Sequence, residues 1–165
     1  MAENAENERL QPSLLDRLTD LKPTDQRETR EERVIDMRRL REIVQRDLSW
    51  LLNTTNAGNT IDVDRYPLTS RSVLNYGIAE TSGDFTSAEK AEFIRKAIRQ
   101  AIESFEPRIR KGSAEVELRT EDVKKQIVIS FDIRADMWAE PVPMELYLRS
   151  EVDIVTGEIG VERSG

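Results

Sequence analysis

The chain has 165 residues with a formal net charge of −7, and 35% of its residues are charged. It contains no cysteine and no histidine, which excludes disulfides, zinc–thiolate sites and catalysis by Ser-His-Asp or Cys-His groups. The acidic balance argues against nucleic-acid binding, and the length predicts about one domain. Because no apolar run approaches the roughly 18 residues of a membrane span, and residues 1–9 lack the apolar core of a signal peptide, we expect a cytoplasmic protein without direct membrane insertion.

The N-terminal segment combines a polar tail, residues 1–9, with one short amphipathic helix. Leu14, Leu15 and Leu18 fall on one side of this predicted helix, which is too short to be stable alone. It must therefore dock, either on the domain or on a partner, and the sequence leaves both open. Residues 22–33 have mixed charge and form a linker or the solvated start of the next helix. We divide the chain into residues 1–33, a tail with the docking helix, and residues 34–165, a single domain.

A long amphipathic helix is predicted from Val34 to about Asn53. Its apolar residues step by three or four positions, and they are Met37, Leu40, Val44, Leu48 and Leu51. Trp50 is expected to pack under the loop that follows. Charged residues on the opposite side are typical of a solvated face, and they are Arg38, Arg39, Arg41, Glu42 and Arg46.

A second long helix ends at a proline corner. Residues 53–67 read as a loop and residues 68–77 as a short helix, after which the capping box Thr86–Glu89 starts a helix that runs to Phe105. Pro107 stops that helix, because its ring and missing N–H cannot continue the hydrogen-bond ladder. On pattern alone, the flanking Glu106 and Arg108 are two solvated charges at an ordinary helix end.

After Gly112 the apolar period changes from that of a helix to the two-residue period of strands. The predicted strands are Val116 to Leu118, Ile127 to Met137, Met144 to Leu148, and a short one that follows a turn at Thr156-Gly157. The first turn lies within residues 120–126. Since each strand has one apolar face, we predict an α+β fold with N-terminal helices packed on a small antiparallel or mixed sheet from the C-terminal half. The pattern does not decide whether Met144–Leu148 is an edge or an interior strand.

Four short segments carry a resemblance that covers roughly residues 10–162. They are Ser13–Leu18, Arg46–Asn53, Ser72–Gly77 and the corner Glu106-Pro107-Arg108. In this order they resemble the phage baseplate wedge lysozyme-like family and, within it, the TssE proteins of type VI secretion. The resemblance implies a structural subunit without cofactor or metal, which joins TssF, TssG and TssK at the cytoplasmic side of the inner membrane. It also implies a role in starting polymerisation of the TssB/TssC sheath, with an edge strand that receives or imitates sheath strands.

The candidate site residues follow from the corner and the docking helix. The resemblance places Glu106, Pro107 and Arg108 at the core of the wedge, where they support assembly, and we expect Arg108 to be exposed in the free chain. Leu14, Leu15 and Leu18 are the further candidates for partner contact. No catalytic, cofactor-binding or metal-binding residue is predicted.

Two other functions compete with the baseplate role. A lysozyme needs a protonated carboxyl group as general acid, and Glu106 is the obvious nominee. Arg108 lies two residues away and stabilises the ionised carboxylate, which is the wrong direction for that task. A regulatory binding protein of the same fold, such as the anti-adaptors that control proteolysis of a stress sigma factor, is the second alternative. The Ser13–Leu18 segment together with the corner favours the baseplate subunit.

Overall fold

The computed structural model describes most of the chain, namely residues 13–19, 23–24, 35–62, 64–80, 87–119, 128–138, 144–153 and 155–163. The predicted tail, most of the linker, Thr86 of the capping box and the turn at 120–126 lie outside these residues. Within them the predicted α+β class is confirmed: the helices come from the N-terminal half and a four-stranded antiparallel sheet from the C-terminal half.

In the part of the chain that the structure describes, three α-helices precede the sheet, and they are α1 (Leu14–Leu18), α2 (Met37–Leu52) and α3 (Ser87–Phe105). Helix α2 begins three residues later than predicted because Asp36 caps it, its side chain accepting a 2.7 Å hydrogen bond from the backbone N–H of Arg39. Among the described residues, no helix is long and apolar enough to cross a membrane.

The predicted short helix at 68–77 is two 3₁₀ turns, Thr69–Arg71 and Val73–Asn75. Ser72 separates them because its backbone is extended (φ −92°, ψ 168°) and its hydroxyl accepts a hydrogen bond from Leu74 N–H. Gly77 ends the segment at a φ of +114°, and a Cβ atom there would lie 2.1 Å from the carbonyl oxygen of Thr54. Only glycine therefore allows this loop to close against the end of α2.

The sheet is a meander of consecutive antiparallel strands in the order β1-β2-β3-β4. The strands are β1 (Glu115–Leu118), β2 (Val128–Met137), β3 (Met144–Asp153) and β4 (Ile159–Arg163). Strand β3 lies between β2 and β4, so the edge position that the resemblance favoured for it is wrong as a description of the whole strand. However, β4 pairs only with Leu148–Val152. In the described residues, the segment Met144–Tyr147, which we call the β3 overhang, pairs with β2 alone.

The hydrophobic core lies between the two long helices and one face of the sheet. Alternate residues of β2 and β3 point into it, which is the burial expected from their two-residue period. Its largest fully buried side chains come from both layers, and they include Leu48, Leu52, Ile94, Ile98, Phe131, Ile133 and Leu148.

The outer edge of β4 is bound by side chains of the α2 segment. Gln45 donates a 2.9 Å hydrogen bond to the carbonyl oxygen of Val161. Asn53 donates to the carbonyl oxygen of Ile159 at 2.7 Å and accepts from its N–H at 2.9 Å. These contacts occupy the groups that an edge strand otherwise offers to another chain.

Candidate partner-binding site

The corner after α3 is fastened to the end of β2. Pro107 ends the helix, and the next backbone groups turn back to pair with the sheet. Arg108 accepts a 2.7 Å hydrogen bond at its carbonyl from Trp138 N–H, and Arg110 N–H donates to the carbonyl of Asp136 at 2.8 Å. The corner is therefore held at both ends by regular structure and presents its side chains from a rigid base.

Glu106 and Arg108 form an ion pair inside this corner. Glu106 is only 6% exposed, and it accepts three hydrogen bonds from Arg108. Its Oε1 accepts from the backbone N–H at 3.0 Å and from Nε at 2.7 Å, and its Oε2 accepts from Nη2 at 2.5 Å. The expectation of two solvated charges is wrong, because the last turn of α3 packs on the core and carries Glu106 inside with it.

Asp47, on α2, is shared by two arginines. Its Oδ2 accepts a 2.7 Å hydrogen bond from Arg108 Nη2. Its Oδ1 accepts from Arg46 Nε at 2.9 Å and from Arg46 Nη2 at 2.7 Å. Each oxygen of one carboxylate thus holds a different guanidinium group, and α2 is joined to the corner through residues 61 positions apart.

Arg46 continues the chain of contacts to the N-terminal helix. Its Nη1 and Nη2 donate to the two carboxylate oxygens of Asp16 at 2.6 and 3.3 Å. Five alternating charges therefore run without a break from α1 through α2 to the corner. We call this set the charge ladder, and its members are Asp16, Arg46, Asp47, Arg108 and Glu106.

The electrostatic state of the ladder follows from these contacts. Burial alone would lower the pKa of Arg108, but hydrogen bonds and charge attraction from Glu106, and then from Asp47, raise that pKa above its ordinary value. The hydrogen bond to Asp16 is the largest cause that raises the pKa of Arg46. The same bond lowers the pKa of Asp16. Both arginines therefore stay cationic at neutral pH.

The polar side of α1 faces the domain, and its leucines face away. Leu14, Leu15 and Leu18 are 72%, 48% and 74% exposed, whereas Asp16 is held by Arg46. The helix therefore docks on the domain through an ion pair and leaves its apolar side open.

Trp50 lies close to this docking point. It was expected to pack under the following loop, and that expectation is wrong. Its ring is 51% exposed and lies 4.8 Å from the guanidinium carbon of Arg46. The arginine face covers part of the ring, which is a favourable cation–π arrangement. The same guanidinium group thus contacts the indole and binds Asp16.

The predicted site residues differ in what they can offer a partner. Glu106 is buried, Pro107 is exposed, and the side chain of Arg108 is 26% exposed. A protein that contacts the corner would meet Pro107 and one side of Arg108, while Glu106 acts by orienting Arg108. The charge ladder connects this corner to the exposed leucines of α1, so the two groups predicted separately belong to one connected arrangement.

Sequence reasoning missed Asp16, Arg46 and Asp47. Arg46 was assigned to a solvated face, which is correct for Arg38 and Arg39 but wrong here. The available signal is the position of Asp47 beside Leu48 in the helix, at the border of the apolar stripe, where a carboxylate needs a partner. The identity of that partner depends on tertiary structure and could not be read from spacing.

Comparison with known proteins adds one match. A family model described as baseplate wedge protein gp25 matches residues 38–142, well over half of the chain. The matched range contains four of the five ladder residues, together with α2 from its second residue, α3, the corner, β1 and β2. No curated protein and no solved structure matches the chain significantly.

Proposed function

Because the chain belongs to the baseplate wedge protein gp25 family, we propose that it is a TssE-type wedge subunit of a type VI secretion system. In this role it joins TssF, TssG and TssK at the cytoplasmic side of the inner membrane and helps to start the TssB/TssC sheath. The observation that carries the proposal is the family match across the segment that contains the corner. A structural role in a baseplate follows from the family, and the named partners follow from the resemblance to TssE proteins.

The geometry of the corner supports its use as a binding surface. Arg108 is held in one orientation by Glu106 and Asp47 before any partner arrives, so little side-chain entropy is lost on binding. Contact at Pro107 would remove the remaining solvent from Arg108. Losing one member of a desolvated, hydrogen-bonded charge pair at an interface typically costs about 2–5 kcal/mol of binding.

The leucines of α1 provide a second contact for the wedge. The exposed apolar row of this five-residue helix would be removed from water in an assembled wedge. Burying one leucine side chain contributes about 1.5–3 kcal/mol, before the loss of conformational entropy is subtracted. We assign α1 to the N-terminal segment 1–33 and the binding corner to the domain 34–165. The family match begins at residue 38, which supports a boundary near this point.

We expect no glycoside hydrolysis. The carboxylate of Glu106 is buried behind Arg108, so a sugar oxygen has no path to it without breaking the ladder. Purified protein incubated with peptidoglycan should release no reducing sugar above buffer. Release that disappears in the Glu106→Gln variant would restore the lysozyme hypothesis.

The direct test is recovery of the wedge subunits with the tagged chain from its host cells. Wild type should bring TssF, TssG and TssK with it, and Arg108→Lys should lose most of this recovery because lysine keeps the charge but not the planar fork. Arg110→Lys is the matched control, since Arg110 is two residues away, is about half exposed, and makes long contacts with Asp136 at 3.7 Å and with the Trp138 ring at 5.8 Å.

Folding must be followed in the same variants. Circular dichroism and melting curves separate a variant that does not fold from one that folds and does not bind. Equal recovery by both lysine variants and wild type would contradict a role for the corner. Recovery of a protease adaptor in place of wedge subunits would favour the regulatory alternative.

A further inference from the structure

The face of the sheet turned away from the helices is strongly charged. Residues that alternate with the core positions point to this face, which we call the outer face. Its carboxylates are Glu115, Glu117, Asp132, Asp136, Glu145, Glu151, Asp153 and Glu162. The arginines of the outer face are Arg134 and Arg149, and Arg110 and Arg119 flank it. With all four counted, the eight carboxylates leave this face with a formal charge of −4, whereas the whole chain has a net charge of −7.

The strand register places carboxylates directly opposite each other on this face. Glu117 pairs with Asp132 across β1 and β2, and Asp136 pairs with Glu145 across β2 and β3. Like charges at directly opposed positions of a sheet are destabilising. An isolated sheet has no structural reason to keep two such pairs.

Three of the arginines at the outer face form only long ion pairs with these carboxylates. The contacts are Arg110–Asp136 at 3.7 Å, Arg134–Glu117 at 3.8 Å, and Arg149–Asp132 at 3.9 Å. Each exceeds the length of a hydrogen bond, whereas the ladder pairs at the corner lie between 2.5 and 2.7 Å. Asp132 Oδ1 and Arg149 Nε are buried atoms without a hydrogen-bond partner in the described residues.

Two exposed aromatic side chains lie at one end of this face. Tyr147 stands opposite Arg134 on the neighbouring strand, and Trp138 follows β2 with Arg110 over its ring at 5.8 Å. Both are exposed large side chains. Aromatic residues beside carboxylates suit an incoming arginine, which stacks on a ring and binds a carboxylate at the same time.

We propose that the outer face of the sheet binds an arginine- and lysine-rich surface of a neighbouring subunit in the baseplate assembly. This inference rests on the proposed function, because the partner is a component of the same assembly. Charge complementarity selects the occupant, because the outer face carries eight carboxylates against four guanidinium groups and incoming cations would sit beside its exposed carboxylates, such as Glu117 and Glu145. A second copy of this chain would bring the same negative face, and an anionic lipid surface would be repelled.

Charge reversal at the two repulsive pairs separates binding from stability. In the double variant Glu117→Lys, Glu145→Lys, each like-charged pair becomes an opposite-charged pair, while the contacts of Glu117 with Arg134 and of Glu145 with Tyr147 are lost. We therefore expect the melting temperature of the free protein to be no lower than that of wild type. Recovery of the neighbouring subunit should nevertheless fall about tenfold or more, since an interface with reversed charges loses both attraction and association rate. The matched control is Asp64→Lys, Glu80→Lys, which changes the net charge equally at exposed loop positions and should leave recovery unchanged.

A photo-crosslinker identifies the occupant. Glu151 is exposed on the outer face and its strand is paired on both sides, so only a partner lying over the face can reach a benzoylphenylalanine placed there. In the assembled wedge, crosslinking to a peptide rich in arginine and lysine supports the proposal. Crosslinking to an acidic or apolar peptide, to a second copy or to lipid, or no crosslink in a fully recovered wedge, overturns it.

The two proposals fail differently. If the wedge subunits are not recovered with the wild-type chain at all, the proposed function fails. If they are recovered equally with wild type and with the Glu117→Lys, Glu145→Lys variant, the proposed function stands and the outer-face inference is wrong.

Discussion

Arg108 is the residue whose environment departs most from the sequence expectation. It was treated as an exposed charge, but it neutralises Glu106 inside the corner and Asp47 on α2. Removing one partner of a buried ion pair costs about 3–5 kcal/mol, and the partial exposure of Arg108 places it at or below the lower end of this range. We therefore predict that Arg108→Ala lowers the free energy of unfolding by about 2–3 kcal/mol, measured by urea denaturation.

The control for this prediction is Arg110→Ala. Its side chain is 47% exposed, and an exposed pair contributes only about 0–1 kcal/mol. Overlapping unfolding curves for Arg108→Ala and wild type would refute the buried-pair description.

Truncating Ser150 should stabilise the protein, in contrast to truncating Arg108. It is fully buried on the core side of β3, and its hydroxyl has no hydrogen-bond partner in the described residues. An unsatisfied buried polar group carries a desolvation penalty of about 1–3 kcal/mol. Ser150→Ala should therefore raise the midpoint of thermal unfolding, whereas Ser130→Ala on the other face should not. A lower midpoint for Ser150→Ala would mean that the hydroxyl is hydrogen-bonded.

At the scale of elements, α1 is held to α2 by a carboxylate that titrates. The bond from Arg46 is the main cause that lowers the pKa of Asp16 below its ordinary value of 3.8. A depressed carboxyl pKa contributes stability that is present above the undocked value and is lost as the pH falls through the docked value. We predict that α1 detaches in acid, beginning below a pH of 3.8.

Fluorescence of Trp50 in a Trp138→Phe background reports this detachment, because Arg46 contacts both the indole ring and Asp16. Asp16→Asn should give the detached signal at neutral pH and lose the acid transition. Identical pH curves for the two proteins would show that Asp16 does not hold the helix.

Because the β3 overhang pairs on one side only, we expect proline to affect folding differently at two positions of this strand. Tyr147 lies beyond the end of β4, and Arg149 pairs on both sides, with Asp132 and with Glu162. Proline removes a ladder donor and is tolerated only where that donor is unpaired. Tyr147→Pro should stay folded and soluble but fail to start sheath assembly in cells, if the overhang receives a sheath strand. Arg149→Pro should unfold.

Circular dichroism measures whether each variant folds, and sheath foci in cells show whether sheath assembly starts. Unfolding of Tyr147→Pro would show that the overhang is paired in the complete chain. Normal sheath foci with a folded Tyr147→Pro would remove the overhang from sheath initiation and leave β1 as the edge to examine, since Gln45 and Asn53 already bind the edge of β4.

Elements with a strong period could be predicted from the sequence, and contacts between elements could not. Apolar residues recur every three or four positions in α2 and α3 and every second position in β2. This spacing predicts the buried face, because it places the apolar side chains on one side of each element. The boundary of α2 shifted only because Asp36 caps it. The partners of Asp47 and the interior position of β3 depend on residues far away in the chain, and no local pattern encodes them.

At the scale of the whole molecule, the domain has two distinct surfaces. The corner, with the charge ladder behind it, is rigid and closely paired, since three carboxylates bind two guanidinium groups, and α1 extends it with exposed leucines. The outer face of the sheet carries excess negative charge that the molecule does not neutralise itself. We interpret the first surface as the attachment to the wedge and the second as a contact to a further basic subunit of the same assembly.

Amide hydrogen exchange compared between the free chain and the purified wedge tests the central claim most directly. We predict that residues 13–19 and 105–110 both become more protected in the wedge, because the ladder joins α1 and the corner into one binding surface. Unchanged exchange at residues 105–110 in a complete wedge would contradict the claim that this corner binds the neighbouring subunits.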